Sequence, residues 1–190
     1  MDNLPIKDIN FFNKGKRGLI YTGKYKGKKV GVKIKRPESR AENTIKKEYF
    51  WLKKLNKYGI GPKLLFLKND SLIYEFAEGT LIKDYLKIAN KKDKIRIFKN
   101  VFGQLRIMDK LKINKKEMHK PLKHIVIGKK IIMLDFERCY ISKKPKNVTQ
   151  FGQFLLKLNI IKKRKEFIES LKDYKQNLDE KSFKKILSLV

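Results

Sequence analysis

Apolar and polar residues alternate over Val30-Gly31-Val32-Lys33-Ile34-Lys35, the two-residue period of a half-buried strand. Segment 19–25 reads as a strand leading into a turn at Lys26-Gly27-Lys28-Lys29, and Pro37 ends the alternating run. The period then lengthens. A helix is predicted over about 42–58, stopped by Gly59-Ile60-Gly61-Pro62. Short strands follow at 64–68 and 71–76, joined across Asn69-Asp70, and a turn at Glu78-Gly79 opens a helical region, 80–113. There Leu81, Tyr85, Ile88, Ile95, Phe98, Phe102, Leu105 and Met108 recur near helical spacing, and Asn90-Lys91-Lys92-Asp93 breaks the region into two helices. Segment 124–136 reads as a tight hairpin turning at Gly128-Lys129-Lys130, and the last 50 residues carry helices around 147–158, 163–174 and 179–189. The order predicts an α+β arrangement, a small sheet lobe followed by a helical lobe.

Composition narrows the class. At 190 residues one domain is expected, or two small lobes, and 41% hydrophobic residues suffice for a core, so a disordered basic tail is excluded. Cys139 is the sole cysteine, which excludes a disulfide framework and a Cys-rich zinc site. No apolar stretch approaches the roughly 18–20 residues that cross a bilayer, and Met1-Asp2-Asn3-Leu4-Pro5 does not open a signal peptide, so a cytoplasmic protein with no membrane partner is expected.

The charge is +30, from 49 basic against 19 acidic residues. Such a charge attracts polyanions, RNA or a ribonucleoprotein above all. Only seven of the basic residues are Arg, the type that matches phosphate oxygens bidentately, so a solvated Lys surface is the competing reading.

Four places carry candidate chemistry. Lys33 points away from the apolar face of its strand, and Lys35 shares its side. On the helix that follows, Glu48 falls inside the stripe of Ile45, Tyr49, Leu52 and Leu55, where an acid is costly unless paired with a cation. Leu72-Ile73-Tyr74-Glu75-Phe76-Ala77-Glu78-Gly79 runs from an apolar strand into an acidic connector. In Ile131-Ile132-Met133-Leu134-Asp135-Phe136-Glu137 an apolar strand delivers one carboxylate at its end. A P-loop, Gly-x-x-x-x-Gly-Lys-Ser/Thr, does not occur.

Taken in order, Gly15-Lys16-Arg17-Gly18, Lys33 in Val-Gly-Val-Lys, Glu48, the 72–79 connector and Asp135-Phe136-Glu137 resemble the protein-kinase-like superfamily. The likeness, over roughly residues 12–158, is to the small atypical kinases of the RIO and KEOPS types and related archaeal Ser/Thr kinases. It implies a two-lobed fold, with a small antiparallel-sheet N-lobe bearing one helix (1–77) and a reduced helical C-lobe (78–190). It also implies ATP and Mg²⁺ as cofactors. Gly15 and Gly18 would cover the phosphates, Lys33 would hold them, Glu48 would hold Lys33, Glu75 and Phe76 would lie at the adenine hinge, and Asp135 would bind metal. Two departures from the family are plain: the loop is not Gly-x-Gly-x-x-Gly, and Glu137 replaces the Gly of Asp-Phe-Gly.

The catalytic loop departs further. Anchoring on His119 as the family's His puts Pro121 at the Asp and Val126 at the Asn. Anchoring on the 125–134 hairpin puts His119 at the Asp and His124 at the Asn, a metal position, with Glu117 just upstream. The second register is preferred because the hairpin leaves little slack, and Glu117 or His119 could then take a hydroxyl proton. Only 55 residues follow Asp135, so acceptor choice is expected to depend on a partner, the basic surface or self-modification. Three functions follow from these readings. One is a kinase acting on Ser/Thr of a protein substrate or of itself. The others are a pseudokinase docking RNA or a ribonucleoprotein, and a small-molecule hydroxyl kinase.

Overall fold

Two-residue alternation places Val30 and Val32 on one face of their strand and Gly31 and Lys33 on the other, and the first sheet is built around that division. The computed structural model describes residues 4–190. It is α+β, and among the described residues it has a five-stranded antiparallel sheet and six α-helices. The chain divides into two compact units, the first running to Gly79 and including Ile132–Arg138, the second comprising Thr80–Ile131 and Cys139–Val190.

In the first unit, β1 (Lys7–Lys14), β2 (Gly18–Tyr25), β3 (Lys28–Lys35), β4 (Leu64–Lys68) and β5 (Ser71–Glu75) lie in the order β1-β2-β3-β5-β4. The β2–β3 register runs unbroken from Gly18 opposite Lys35 to Tyr25 opposite Lys28. Lys26 (φ 46°) and Gly27 (φ 75°) close it in the left-handed pair of a two-residue hairpin. Val30, Val32, Ile73 and Ile6 make an apolar cluster on one face. Helix α1 (Thr44–Leu55) packs on β3, β4 and β5 through Ile45, Glu48, Trp51, Leu52 and Leu55. Trp51 is buried where the stripe predicted Tyr49, which is only half-buried. After a 3₁₀ turn at Asn56–Tyr58, Gly61 (φ 84°) passes so close to Leu52 and Phe136 that a Cβ would lie 2.7 and 2.9 Å from them.

Strand β1 was not legible in the sequence. Lys-Asp-Ile-Asn-Phe-Phe-Asn-Lys is exposed along nearly its whole length, so it has no apolar period, and it pairs with β2 through two register shifts, as edge strands often do.

The second unit holds α2 (Ile82–Ile88), α3 (Lys91–Lys110), α4 (Asn147–Lys157), α5 (Arg164–Asn177) and α6 (Glu180–Ser188). The two-residue β6 (Thr80–Leu81) pairs with β8 (Ile125–Ile127), and β7 (Ile113–Lys115) pairs with β10 (Cys139–Ile141). Strand β9 (Ile131–Met133) carries the chain from the second unit into the first. The expected break between α2 and α3 is built by Asn90, whose side chain accepts from the Asp93 amide at 2.9 Å and caps α3. Phe98, Phe102, Phe151 and Phe154 form the aromatic centre, with Phe102 and Phe151 edge to face at 4.9 Å. A Cβ on Gly152 would meet the Leu171 side chain at 2.6 Å, so the missing side chain sets how closely α5 approaches α4.

A buried carboxylate ties these helices together. Oδ1 of Asp109 on α3 accepts from Asn147 N (3.1 Å) and Nδ2 (2.7 Å), and Oδ2 accepts from Val148 N (3.2 Å) and the Tyr174 hydroxyl (3.0 Å). Arg106 donates to the same hydroxyl at 3.1 Å. The carboxylate therefore caps the start of α4 and reaches α5 at once. Burial raises its pKa, and the bonds from Val148, Asn147 and Tyr174 pull against that rise. Replacing Asp109 with Ala should cost about 3–5 kcal/mol, because four donors lose their acceptor inside the protein. The check is the urea midpoint of the variant against wild type, and an unchanged midpoint would refute the role.

Candidate functional site

The residues with chemistry in the first unit converge on one ammonium. Lys33 projects from β3 opposite the Val30/Val32 face and is 5% exposed. Its Nζ lies 2.6 Å from Glu48 Oε2 and 2.7 Å from Asp135 Oδ1. The Asp135 contact is an aligned hydrogen bond, whereas the Glu48 contact is off the hydrogen-bond axis and holds as an ion pair. Glu48 Oε1 also accepts from the Phe136 amide at 3.3 Å, so one carboxylate fastens both the lysine and the segment carrying Asp135. Glu137 Oε2 is 3.9 Å from the ammonium, and its other oxygen takes Arg17 at 3.1 Å. Three carboxylates thus surround two cations.

Each element reaches this point for a local reason. The period of β3 turns Lys33 toward α1. The helical period of α1 puts Glu48 in line with buried Ile45 and Leu52. Asp135 sits at φ 60°, a left-handed conformation uncommon for a residue with a Cβ, just beyond β9. Gly18 lets the β1–β2 connection lie on the lysine stem, since a Cβ there would be 3.2 Å from Lys33 Cε. Gly15 N donates to Gly18 O at 2.8 Å and closes that connection.

The electrostatics follow from crowding. Burial alone lowers the Lys33 pKa, but the charges of Glu48 and Asp135 overturn it, and the ammonium is held well above 10.5. While those two carboxylates are ionised, Lys33 stabilises the fold below its ordinary value, and that contribution is lost as pH rises through the raised one. Burial pushes Glu48 up from 4.5. Lys33 pulls it back, while Asp135 and Glu137 repel its charge. Ionised Glu48 is thus disfavoured in the folded protein, and its protonation adds stability as pH falls through that raised value.

The other sequence-stated residues fall elsewhere. Lys35, the rival of Lys33, is exposed and points out of the cluster. Glu75 is paired with Lys28 (3.3 Å) and Lys63 (3.4 Å), which together outweigh its partial burial and hold its pKa below the ordinary value. Phe76 donates its amide to Lys29 O at 3.1 Å and packs edge to face on Phe12 at 5.0 Å. Both lie in the first unit. Glu117, His119 and His124 belong to the second. Glu117 is buried, with Lys115 Nζ 3.1 Å from its Oε2. His119 is exposed, and its Nδ1 sits 2.8 Å from the Lys116 carbonyl oxygen, which makes that nitrogen the donor. His124 is half-buried and donates its amide to Pro121 O. Among the described residues no group of three or more His, Cys, Asp or Glu is arranged to hold a metal.

Three contributors, although they lie in segments quoted above, had been given no role of their own from the sequence. Arg17 and Glu137 form an ion pair across 120 residues, and buried Tyr74 fills the space above Gly31, where a Cβ would be 2.5 Å from its ring. Two of them left a signal, an Arg between glycines and an acid two residues after Asp135, but no local rule joins them.

No family model matches the chain, and no curated protein matches its sequence. Carboxyl ¹³C titration should place the Glu48 midpoint above 4.5, and a midpoint at or below that value would contradict the crowding described here.

Proposed function

We propose that this chain is an ATP-binding, atypical kinase with a two-lobed protein-kinase-like fold, transferring the γ-phosphoryl group to a Ser/Thr hydroxyl of a protein, itself included. The observation that carries the reading is Lys33 held between Glu48 and Asp135. Phosphoryl transfer asks for a fixed cation on the phosphates and a carboxylate for the metal, more than for covalent help from the protein. A helix carboxylate that orients the lysine, and a second carboxylate with 38% of its side chain exposed, supply both.

The residues fit a magnesium polyphosphate. Asp135, the outermost carboxylate, offers hard oxygen donors with 38% of its side chain exposed, beside an ammonium fixed at 2.7 Å. Asp135 would hold the ion and Lys33 the phosphates; when bound, Mg²⁺ supplies neutralisation of the charge on the transferred group. The chain's own work is positioning. Glu48 keeps Lys33 in place and, through Phe136 N, keeps Asp135 beside it. For the acceptor, His119 is the better proton acceptor of the two candidates: with Nδ1 donating to Lys116 O, its Nε2 carries the lone pair at the surface. The Glu117 carboxylate is instead buried on Lys115.

That last contact also favours a second reading, a catalytically weak pseudokinase docking RNA or a ribonucleoprotein. The second unit carries 29 basic against 9 acidic residues, the larger share of the net charge.

Incubation of the full chain with [γ-³²P]ATP and Mg²⁺ separates them. Label should appear on protein and fall about 10²–10³-fold in Asp135→Asn, which keeps a residue tolerant of positive φ. Lys33→Met should lose transfer too, but it strands a buried Glu48 at a cost of about 3–5 kcal/mol, so Asp135→Asn is the decisive variant. Absence of transfer to protein or to any small alcohol by folded wild type would overturn the kinase reading. RNA retention that falls steeply with salt would then support the second.

A further inference from the structure

We propose that Arg17 is a polyphosphate-binding residue of the Lys33 site, parked on Glu137 until an anion replaces that carboxylate. The inference rests on the nucleotide reading of the same site and adds the group that reads the phosphates and the contact that must open for them.

Placement comes first. Arg17 lies between β1 and β2, and its carbonyl accepts from Arg36 N at 2.9 Å, so its backbone is pinned beside the end of β3. The next residue is Gly18, where a Cβ would come within 3.0 Å of Ile34 O and 3.2 Å of Lys33 Cε. The base of the connection therefore rests on the stem of the lysine, and the Arg17 side chain starts a few ångströms from the charge cluster. A glycine-rich tip would offer phosphates its backbone amides. Here Lys16 and Arg17 occupy the tip, so side chains must supply the donors.

Bonding comes second. Arg17 meets Glu137 through a single nitrogen, Nη1 to Oε1 at 3.1 Å, and its side chain is 34% exposed. A guanidinium has five N–H donors in a planar fork, and one monodentate contact uses a small part of them. Phosphate oxygens can take the fork two at a time, a stronger arrangement than the bond it makes now.

Charge comes third. Glu48 and Asp135 lie 2.6 and 2.7 Å from the Lys33 ammonium, and Glu137 lies between that ammonium and Arg17. A polyphosphate entering this cluster is repelled by Glu137, whose other oxygen already lies 3.9 Å from Lys33. Transfer of Arg17 to the phosphate gives the entering anion its own counter-charge and leaves Glu137 facing the Lys33 ammonium, 3.9 Å away.

Equilibrium binding of the full chain tests this with three probes: inorganic tripolyphosphate, ATP and adenosine, each with Mg²⁺. Arg17→Ala should weaken tripolyphosphate and ATP about tenfold, the scale of one charge-assisted hydrogen bond, while adenosine binds wild type and variant alike. Lys16→Ala removes the same charge from the same loop and should cost clearly less. Glu137→Gln frees the guanidinium and should tighten tripolyphosphate. Equal losses in Arg17→Ala and Lys16→Ala would reduce the effect to net charge and overturn the assignment. So would an unchanged Arg17→Ala, weaker tripolyphosphate binding by Glu137→Gln, or a wild type that binds no tripolyphosphate. Arg17-dependent binding of tripolyphosphate with no binding of ATP or adenosine would uphold Arg17 and overturn the nucleotide reading.

Discussion

A lysine ammonium withdrawn from water has to be neutralised where it sits, and Lys33 is neutralised by two carboxylates from distant parts of the chain. Much of the first unit can be understood from that requirement. The strand must present Lys33 on the helix side, the helix must place an acid among its apolar residues, and the segment after β9 must return to this unit. Glu48 satisfies two of these demands together, since its second oxygen holds the Phe136 amide. The resulting set of charges is tight: Glu137 also lies 3.9 Å from the ammonium, and Asp135 keeps part of its side chain open to solvent.

The second unit solves the same problem differently. Asp109 is buried as well, but neutral donors surround it: two amides, a carboxamide and a hydroxyl. Dipoles that are fully engaged leave nothing to exchange with a ligand, and they lock α3, α4 and α5 in one arrangement. Lys33 differs in that one of its partners, Asp135, is partly open to solvent. A buried carboxylate satisfied by fixed dipoles stiffens a core, whereas a cation shared among several acids has more than one partner to choose from.

The sequence made much of this visible, for identifiable reasons. Strands β2 to β5 and the helices carry apolar periods because each buries one side, so their positions could be read within a few residues. Lys33 and Glu48 stood out as polar residues at positions where the period called for particular faces. Strand β1 and the two- and three-residue strands β6, β7 and β10 could not be read, since the first is exposed on nearly every residue and the others are too short to show a period. Asp109 was hidden inside a strongly periodic helix, where its role depends on Asn147 and Tyr174, 38 and 65 residues away. The pairing of Arg17 with Glu137 was equally out of reach, because it is a property of the folded loop rather than of any local pattern. A division of the chain into consecutive lobes likewise hides that residues 132–138 pack with the first unit.

That late return of the chain has a temporal side. A ribosome releases Lys33 and Glu48 early, yet Asp135 emerges 102 residues after the lysine it completes. Throughout that interval the nascent sheet holds an acid–base pair with one counter-charge absent, and half of the second unit is synthesised before the gap is filled. Cutting the gene after the codon for Gly79 would therefore yield a sheet and helix permanently missing their last anion, so the smallest fragment able to assemble the whole charge cluster must extend through Glu137.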